Sequence, residues 1–288
     1  MITSTPLSTT SRVAVVTGSN KGIGFHIALQ LASCGLFRHV VLGCRDAIRG
    51  QNAVQEIQQR LLTEAPSSAV AQVSYLPLEV GNRTSHSIFR QLLEEQFGDK
   101  CDVLVNNAAI AFKGSDPTPF QGQTKPSLDI NFRGTVDLTV ELLPLLRKRN
   151  DARIVNVASM SGYLQQIKSA QLRDAFTDPN LSMEKLHSLV NQFEHDVQHG
   201  THVQNGWGNS NYGMSKLALI AATKIWAREE ASNGIKVNCF CPGYCKTDMS
   251  SNLGGRPPSE GAKTGVLLAT MKDCPTGEFY RDMQPSEW

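Results

Sequence analysis

Tyr212 and Lys216, in the run Tyr212-Gly213-Met214-Ser215-Lys216, are the pair in this chain with the plainest chemical use. On a helix, residues at that spacing share one face. A phenol near its free pKa of about 10 is a poor proton relay at neutral pH. A nearby ammonium favours the phenolate, which is expected to bring Tyr212 toward the working range. Such a pair also recurs by chance, so its weight depends on what accompanies it.

The first companion is the run Thr17-Gly18-Ser19-Asn20-Lys21-Gly22-Ile23-Gly24. Small residues let the backbone turn sharply and let a pyrophosphate approach the free N–H groups of a helix start. The spacing is G-x-x-x-G-x-G rather than the commoner G-x-G-x-x-G, and an ordinary tight turn is the alternative. Farther on, Leu42-Gly43-Cys44-Arg45 ends the next apolar run, with Arg49 one helical turn later. An NAD site sets a carboxylate on the ribose about 20 residues beyond the glycines, whereas arginine suits a 2′-phosphate. Lys21, Arg45 and Arg49 are therefore expected to converge on that phosphate, which favours NADPH. A solvated helix face is the alternative for the two arginines, and Asp46 reads as a helix cap.

The elements that must hold these groups alternate along the chain. Val13-Ala14-Val15-Val16 is a continuous apolar run, as in a strand covered on both faces. A helix then runs to about Ser33, a strand over His39–Gly43, and a helix from Ala47 to about Leu62. Strands follow at Gln72–Leu78, Val103–Asn106, Arg153–Val157 and Ile235–Phe240. Helices are predicted over Thr84–Phe97, about Leu128–Leu146, and from near Tyr212 to a cap at Asn233-Gly234. This alternation implies a doubly wound α/β fold with a parallel sheet in a single domain, 12–288. Such sheets bind ligands at the carboxyl ends of their strands, where the motifs above fall. Between about 162 and 211 a polar segment with weak helical periodicity (Leu181, Leu186, Leu189, Val190, Phe193, Val197) reads as an insertion of one or two helices. Residues 1–11 read as a disordered tail.

Taken in order, Thr17-Gly18-x-x-x-Gly22-x-Gly24, Asn106-Asn107-Ala108-Ala109, Ser159, Tyr212-x-x-x-Lys216 and Pro242-Gly243 resemble the short-chain dehydrogenase/reductase family. The similarity extends from about Arg12 to the C-terminus. Several stretches look specifically like the monomeric NADPH-dependent carbonyl reductases: Asn20–Gly24, Arg45-Asp46 with Arg49-Gly50-Gln51, Ala109–Lys113, Asp116–Phe120, and Cys241-Pro242-Gly243 with Thr247-Asp248-Met249. The resemblance implies reduction of ketones, aldehydes or quinones. Tyr212 would donate the proton, Ser159 would hydrogen-bond the same oxygen, and Lys216 would hold the nicotinamide ribose and tune Tyr212. Asn131 matches the asparagine that positions a water in the proton relay, and Thr247 should contact the nicotinamide carboxamide. Glu79, Val80, Asn107, Pro242 and Gly243 complete the expected cofactor site. Two positions depart from the family pattern: Ala109 stands where glycine is usual, and Glu79 where an aspartate would accept from the adenine amino group. A dedicated reductase of one terpenoid, alkaloid or steroid ketone, or a non-catalytic NADPH sensor, are the alternatives; intact Ser159, Tyr212 and Lys216 argue against the sensor.

Other signals are weaker. His195-Asp196-Val197-Gln198-His199 resembles a zinc motif, but no third ligand is evident, so it reads as a solvated helix face and no metal is expected. Cys241 reads either as a reactive pocket thiol or as an inert small residue. Met160, Tyr244 and Met249 could line a substrate pocket or belong to the core. The sequence has 288 residues and is 40% hydrophobic, with a net charge of +2 that suggests no nucleic-acid partner. No stretch reaches the roughly 18 apolar residues that span a bilayer. Seven scattered cysteines fit reduced thiols and a cytoplasmic location. In that compartment the sequons at Asn82 and Asn180 are chance matches. An insertion lying across the helix face through which most relatives pair implies a monomer.

Overall fold

The computed structural model describes residues 12–64 and 70–288. The tail expected at 1–11 lies outside the described residues. Strand β1 (Val13–Thr17) is buried at every position, and its side chains divide by parity, as a pleated strand requires. Val13 and Val15 join one apolar cluster, and Ala14 and Val16 join another. This is why the sequence reads as an unbroken apolar run and why helices must cover both faces.

Beside β1 the strands β2 (His39–Cys44), β3 (Gln72–Pro77), β4 (Val103–Asn106), β5 (Arg153–Val157), β6 (Lys236–Cys241), β7 (Phe279–Arg281) and β8 (Gln284–Pro285) complete one sheet. Its order is β3-β2-β1-β4-β5-β6-β7-β8. Pairing is parallel up to β7, while β8 returns antiparallel along β7. No sequence signal marks this hairpin, because two- and three-residue strands carry no periodicity. Helices α1 (Gly22–Ser33) and α2 (Ala47–Glu64) cover one face together with a helix near the C-terminus, Pro258–Thr270. The other face is covered by α3 (Arg83–Phe97), α4 (Phe120–Leu128), α5 (Thr135–Leu146) and, after α6 (Ala170–Thr177) and α7 (Met183–Gln198), by α8 (Asn211–Glu229). The Pro258–Thr270 helix is α9.

Two helices differ from expectation. The one predicted to start near Leu128 begins at Phe120, and a π-helical turn over Asp129–Gly134 separates α4 from α5. The extra residue of a π-turn re-aims the side chains after it, and Asn131 lies within this one. Gly134 seats the turn against the loop after β3, since a Cβ there would fall 2.1 Å from the Val80 carbonyl oxygen. Helix α8 ends at Glu229 rather than at Asn233. A 3₁₀ turn (Ala231–Asn233) follows and closes on Gly234, whose φ of 71° is left-handed.

Within 162–211 the structure forms α6 and α7, each started by a serine whose hydroxyl accepts a backbone N–H: Ser169 from Leu172 and Ser182 from Lys185. Leu186, Val190, Phe193 and Val197 turn inward from α7, which packs on α4 and α8. The solvated-face reading of His195–His199 fails at Asp196. That carboxylate is buried and accepts from Trp207 Nε1 and Asn205 Nδ2, each at 2.8 Å, and from Gln192 Nε2. Burial raises its pKa, but these hydrogen bonds outweigh that and hold it below the usual carboxylate value. Among the described residues no group of three or more possible ligands could hold a metal ion.

Asp196→Ala strands three donors, two of them on the loop leading to α8. It should lower stability by about 3 kcal/mol in urea denaturation. Because the folded pKa is depressed, the carboxylate's contribution is present above its unfolded pKa and is lost as pH falls through the folded one. The difference between Asp196→Ala and wild type should therefore shrink in acid.

Candidate active site

Between β1 and β4 the crossovers leave in opposite directions, which opens a crevice at the carboxyl ends of these strands. Thr17 Oγ1 accepts the N–H groups of both Asn107 and Ala108, at 3.0 and 2.9 Å. Asn107 Nδ2 donates back to the carbonyls of Thr17 and Gly18. Two glycines are required by this stitching. Gly18 has φ of 62°, and a Cβ there would meet Ala108 Cα at 2.8 Å; at Gly24 a Cβ would lie 2.4 Å from Asn107 Nδ2. No side chain caps α1 at Lys21, so its first N–H groups face the crevice as an anion site.

The resulting cleft encloses about 470 Å³. Of the sequence-predicted cofactor residues, Gly18, Asn20, Lys21, Gly22, Ile23, Arg45, Glu79, Val80, Asn107 and Thr247 line it, as does Ala109. Gly24, Pro242 and Gly243 lie outside its wall. Arg49 is also outside: it is exposed and pairs with Asp46, whose Oδ1 accepts the Arg49 N–H in the capping role. The cations in the cleft wall are therefore Lys21, Arg45 and Lys246, the last of which the sequence does not single out. Lys21 Nζ lies 2.6 Å from Asp248 Oδ2, and Arg45 lies 4.0 Å from Glu79. His26, one turn into α1, also lines the cleft; its position four residues after Gly22 was the available signal. Burial, with Arg60 nearby, lowers its pKa.

Tyr212, Lys216 and Ser159 are not in the wall of this cleft, but they are tied to it. Ile110 lines it, and Asn131 grips Ile110 twice, accepting its N–H and donating to its carbonyl at 2.8 Å each. Asn131 Nδ2 also donates to Ser215 Oγ, the residue before Lys216. Lys216 is buried, with Nζ donating to the Val157 carbonyl at 2.6 Å. Burial pushes its pKa down to about 8, against the opposing influence of the Cys241 and Cys239 thiols. Ser159 follows β5 directly, and its Oγ accepts the Ser161 N–H at 3.1 Å.

Tyr212 corrects the sequence reading. Burial pushes its pKa up to about 12; hydrogen bonding with Ser159 opposes this and Cys241 adds to it. The ammonium does not pull it down, because Lys216, with a pKa lowered to about 8, has lost its proton well before the phenol would titrate. The phenol therefore keeps its proton at neutral pH.

Around this group Met249 lines the cleft, and Tyr244 is 63% exposed. Met160 is half-buried against an apolar cluster that includes Cys239, Cys241 and Phe279. Cys241 is buried, its sulfur accepting the N–H groups of Met160 and Gly243 at 3.2 and 3.4 Å.

Residues 12–171 match the family model described as short chain dehydrogenase. The chain belongs to the short-chain dehydrogenase family. Residues 196–267 match a second model, described as enoyl-(acyl carrier protein) reductase. Carbonyl reductase [NADPH] 1 of Macaca fascicularis is 39% identical, over 96% of this chain and 98% of the relative. Among solved structures, salutaridine reductase from Papaver somniferum is 31% identical with a TM-score of 0.82, over 93% of this chain and 99% of that one. Menthone neomenthol reductase from Mentha piperita is 28% identical with a TM-score of 0.79, over 95% and 99%. Membership in this dehydrogenase family agrees with the parallel sheet and with the glycine cradle at its switch point.

Gly24→Ala should push the Asn107 amide off the Thr17 and Gly18 carbonyls and raise the dissociation constant for a nicotinamide dinucleotide at least about tenfold. The same shift loosens the joint between β1 and β4, so the melting temperature should fall as well; fluorescence titration beside thermal denaturation checks both.

Proposed function

We propose that this chain reduces the carbonyl group of ketones, aldehydes or quinones to the alcohol with NADPH. The observation that carries the reading is a protonated, half-buried Tyr212 beside Ser159 and Lys216, joined through Asn131 to a cleft with cations at its edge. The cradle of Gly18, Asn107 and the uncapped α1 suits a pyrophosphate, and Lys21 and Arg45 suit a 2′-phosphate. NADPH, when bound, supplies the hydride.

Reduction consumes one carbonyl compound, one NADPH and one proton, and yields the alcohol and NADP⁺. Tyr212 Oη gives its proton to the carbonyl oxygen as negative charge develops there. Ser159 Oγ hydrogen-bonds the same oxygen and stabilises that charge. Tyr212 then needs a proton, and Lys216 is poised to return one because burial has already weakened its hold. Asn131 fixes the loop at Ile110 beside this path.

A dedicated reductase of a single terpenoid or alkaloid ketone is the second reading. It is supported by the two plant structures, salutaridine reductase and menthone neomenthol reductase, each similar over nearly its full chain. A single substrate with far higher kcat/KM than all others would mark it. We further propose a monomer, since α7 lies along α8 and α4; light scattering showing a stable tetramer would overturn this. Seven free thiols support a reducing, cytosolic setting, and no helix among the described residues is long and apolar enough to cross a membrane.

Three results are expected from NADPH oxidation assays on a panel of quinones, aromatic aldehydes and ketones. Tyr212→Phe should lower kcat about a thousandfold, by loss of the proton donor. Arg45→Ala should raise KM for NADPH about tenfold and leave that for NADH unchanged, by loss of a charge-assisted contact. Lys216 carries its proton below about pH 8 and loses it above, while Tyr212 stays protonated far higher. Reductive kcat/KM should therefore fall as pH rises through about 8, and a profile flat to pH 10 would refute that assignment.

A further inference from the structure

Ser159 and Tyr212 come from different parts of the chain, a 3₁₀ turn after β5 and the first turn of α8. Both must meet one carbonyl oxygen, so their relative placement has to hold within a fraction of an ångström. Most of what holds them is backbone packing: at Gly162 a Cβ would lie 2.8 Å from the Lys216 carbonyl carbon. One side chain bridges the two segments directly. Gln166 Nε2 donates to the Ser161 carbonyl at 2.9 Å and to the Gly213 carbonyl at 3.2 Å. Ser161 is the residue whose N–H is bound by Ser159 Oγ, and Gly213 follows Tyr212.

We propose that Gln166 is a positioning residue for the reduction, setting the Ser159 turn against the Tyr212 helix through its amide nitrogen. The proposal rests on the reductase reading. Stability alone does not account for a glutamine here. Its Oε1 is buried without a hydrogen-bond partner, which costs about 1–3 kcal/mol in desolvation, and an apolar side chain of the same length would avoid that. Room for the amide has also been made at some expense to the helix. Gly213 lies in the first turn of α8, where alanine would be worth about 1 kcal/mol more; yet a Cβ there would fall 2.6 Å from Gln166 Oε1 and 2.7 Å from the Ser161 carbonyl oxygen, so the close approach of the two segments and the amide between them both require the glycine. Gly208 is constrained in the same way, its Cβ position lying 3.1 Å from that oxygen. The amide oxygen goes unused in this tight seam, which leaves the two bonds from the amide nitrogen as what Gln166 contributes.

The test compares wild type with Gln166→Met, which keeps length and removes both the donor and the orphaned acceptor. Steady-state assays with NADPH, and with NADPH deuterated at the transferred position, are run beside thermal denaturation. The expected result is a fall in kcat of about tenfold or more, with KM for NADPH within about twofold, an enlarged deuterium effect and an undiminished melting temperature. Gln166→Glu sets a carboxylate against the same two carbonyls and should fall at least as far; it takes the place of the Met variant under the same criteria if that one does not fold. A variant whose kcat stays within about twofold of wild type, or falls with no change in the isotope effect, overturns the role of Gln166 while the reductase reading stands. A wild type without turnover on the whole panel overturns the reductase reading, and the role of Gln166 with it.

Discussion

The hydroxyl of Thr17 holds together the place where this sheet divides. Strands β1 and β4 are neighbours whose connections run in opposite directions, so nothing in the chain's path keeps their ends together. A single oxygen accepting two N–H groups from Asn107 and Ala108 does so, and the Asn107 amide returns two bonds to the β1 side. Gly18 and Gly24 follow from that closeness, because any side chain at either position would push the two segments apart. The anion site at α1, the cleft and the path through Ile110 to Asn131 are all built outward from this joint.

Beyond the joint, the chemistry is set by removal of water more than by attraction between charges. Tyr212 and Lys216 share a helix face, but burial moves them in opposite directions, strengthening the phenol's grip on its proton and weakening the ammonium's. Both neutral forms are favoured by the same apolar surroundings. A donor that keeps its proton until a negative oxygen develops beside it, with a replenishing group close to neutrality, is matched to reduction.

Much of this was legible because the residues concerned obey local rules. The parity of β1, the cap at Asp46 and the inward stripe of α7 follow from the sequence, and so do the glycines around Lys21. What stayed hidden depends on contacts made far along the chain. Nothing local marks the π-turn at Asp129–Gly134, whose last residue, Gly134, sits against the Val80 carbonyl from another part of the chain. Asp196 reads from the sequence as part of a solvated helix face, whereas Trp207 and Asn205 close over it. The expectation that Lys216 would acidify Tyr212 assumed an ammonium free to act through space. Burial instead lowers the ammonium's pKa so far below the phenol's that Lys216 gives up its proton first.

The β7–β8 hairpin has a consequence for how this molecule behaves among its own copies. A parallel sheet that stopped at β6 or β7 would present an open row of N–H and C=O groups, a template for a strand from another chain. Here the last strand of that side is two residues long, antiparallel, and includes Pro285, which has no N–H to offer. The border of the sheet is thus too short and too poor in donors to be extended, so the hairpin serves colloidal stability as much as folding.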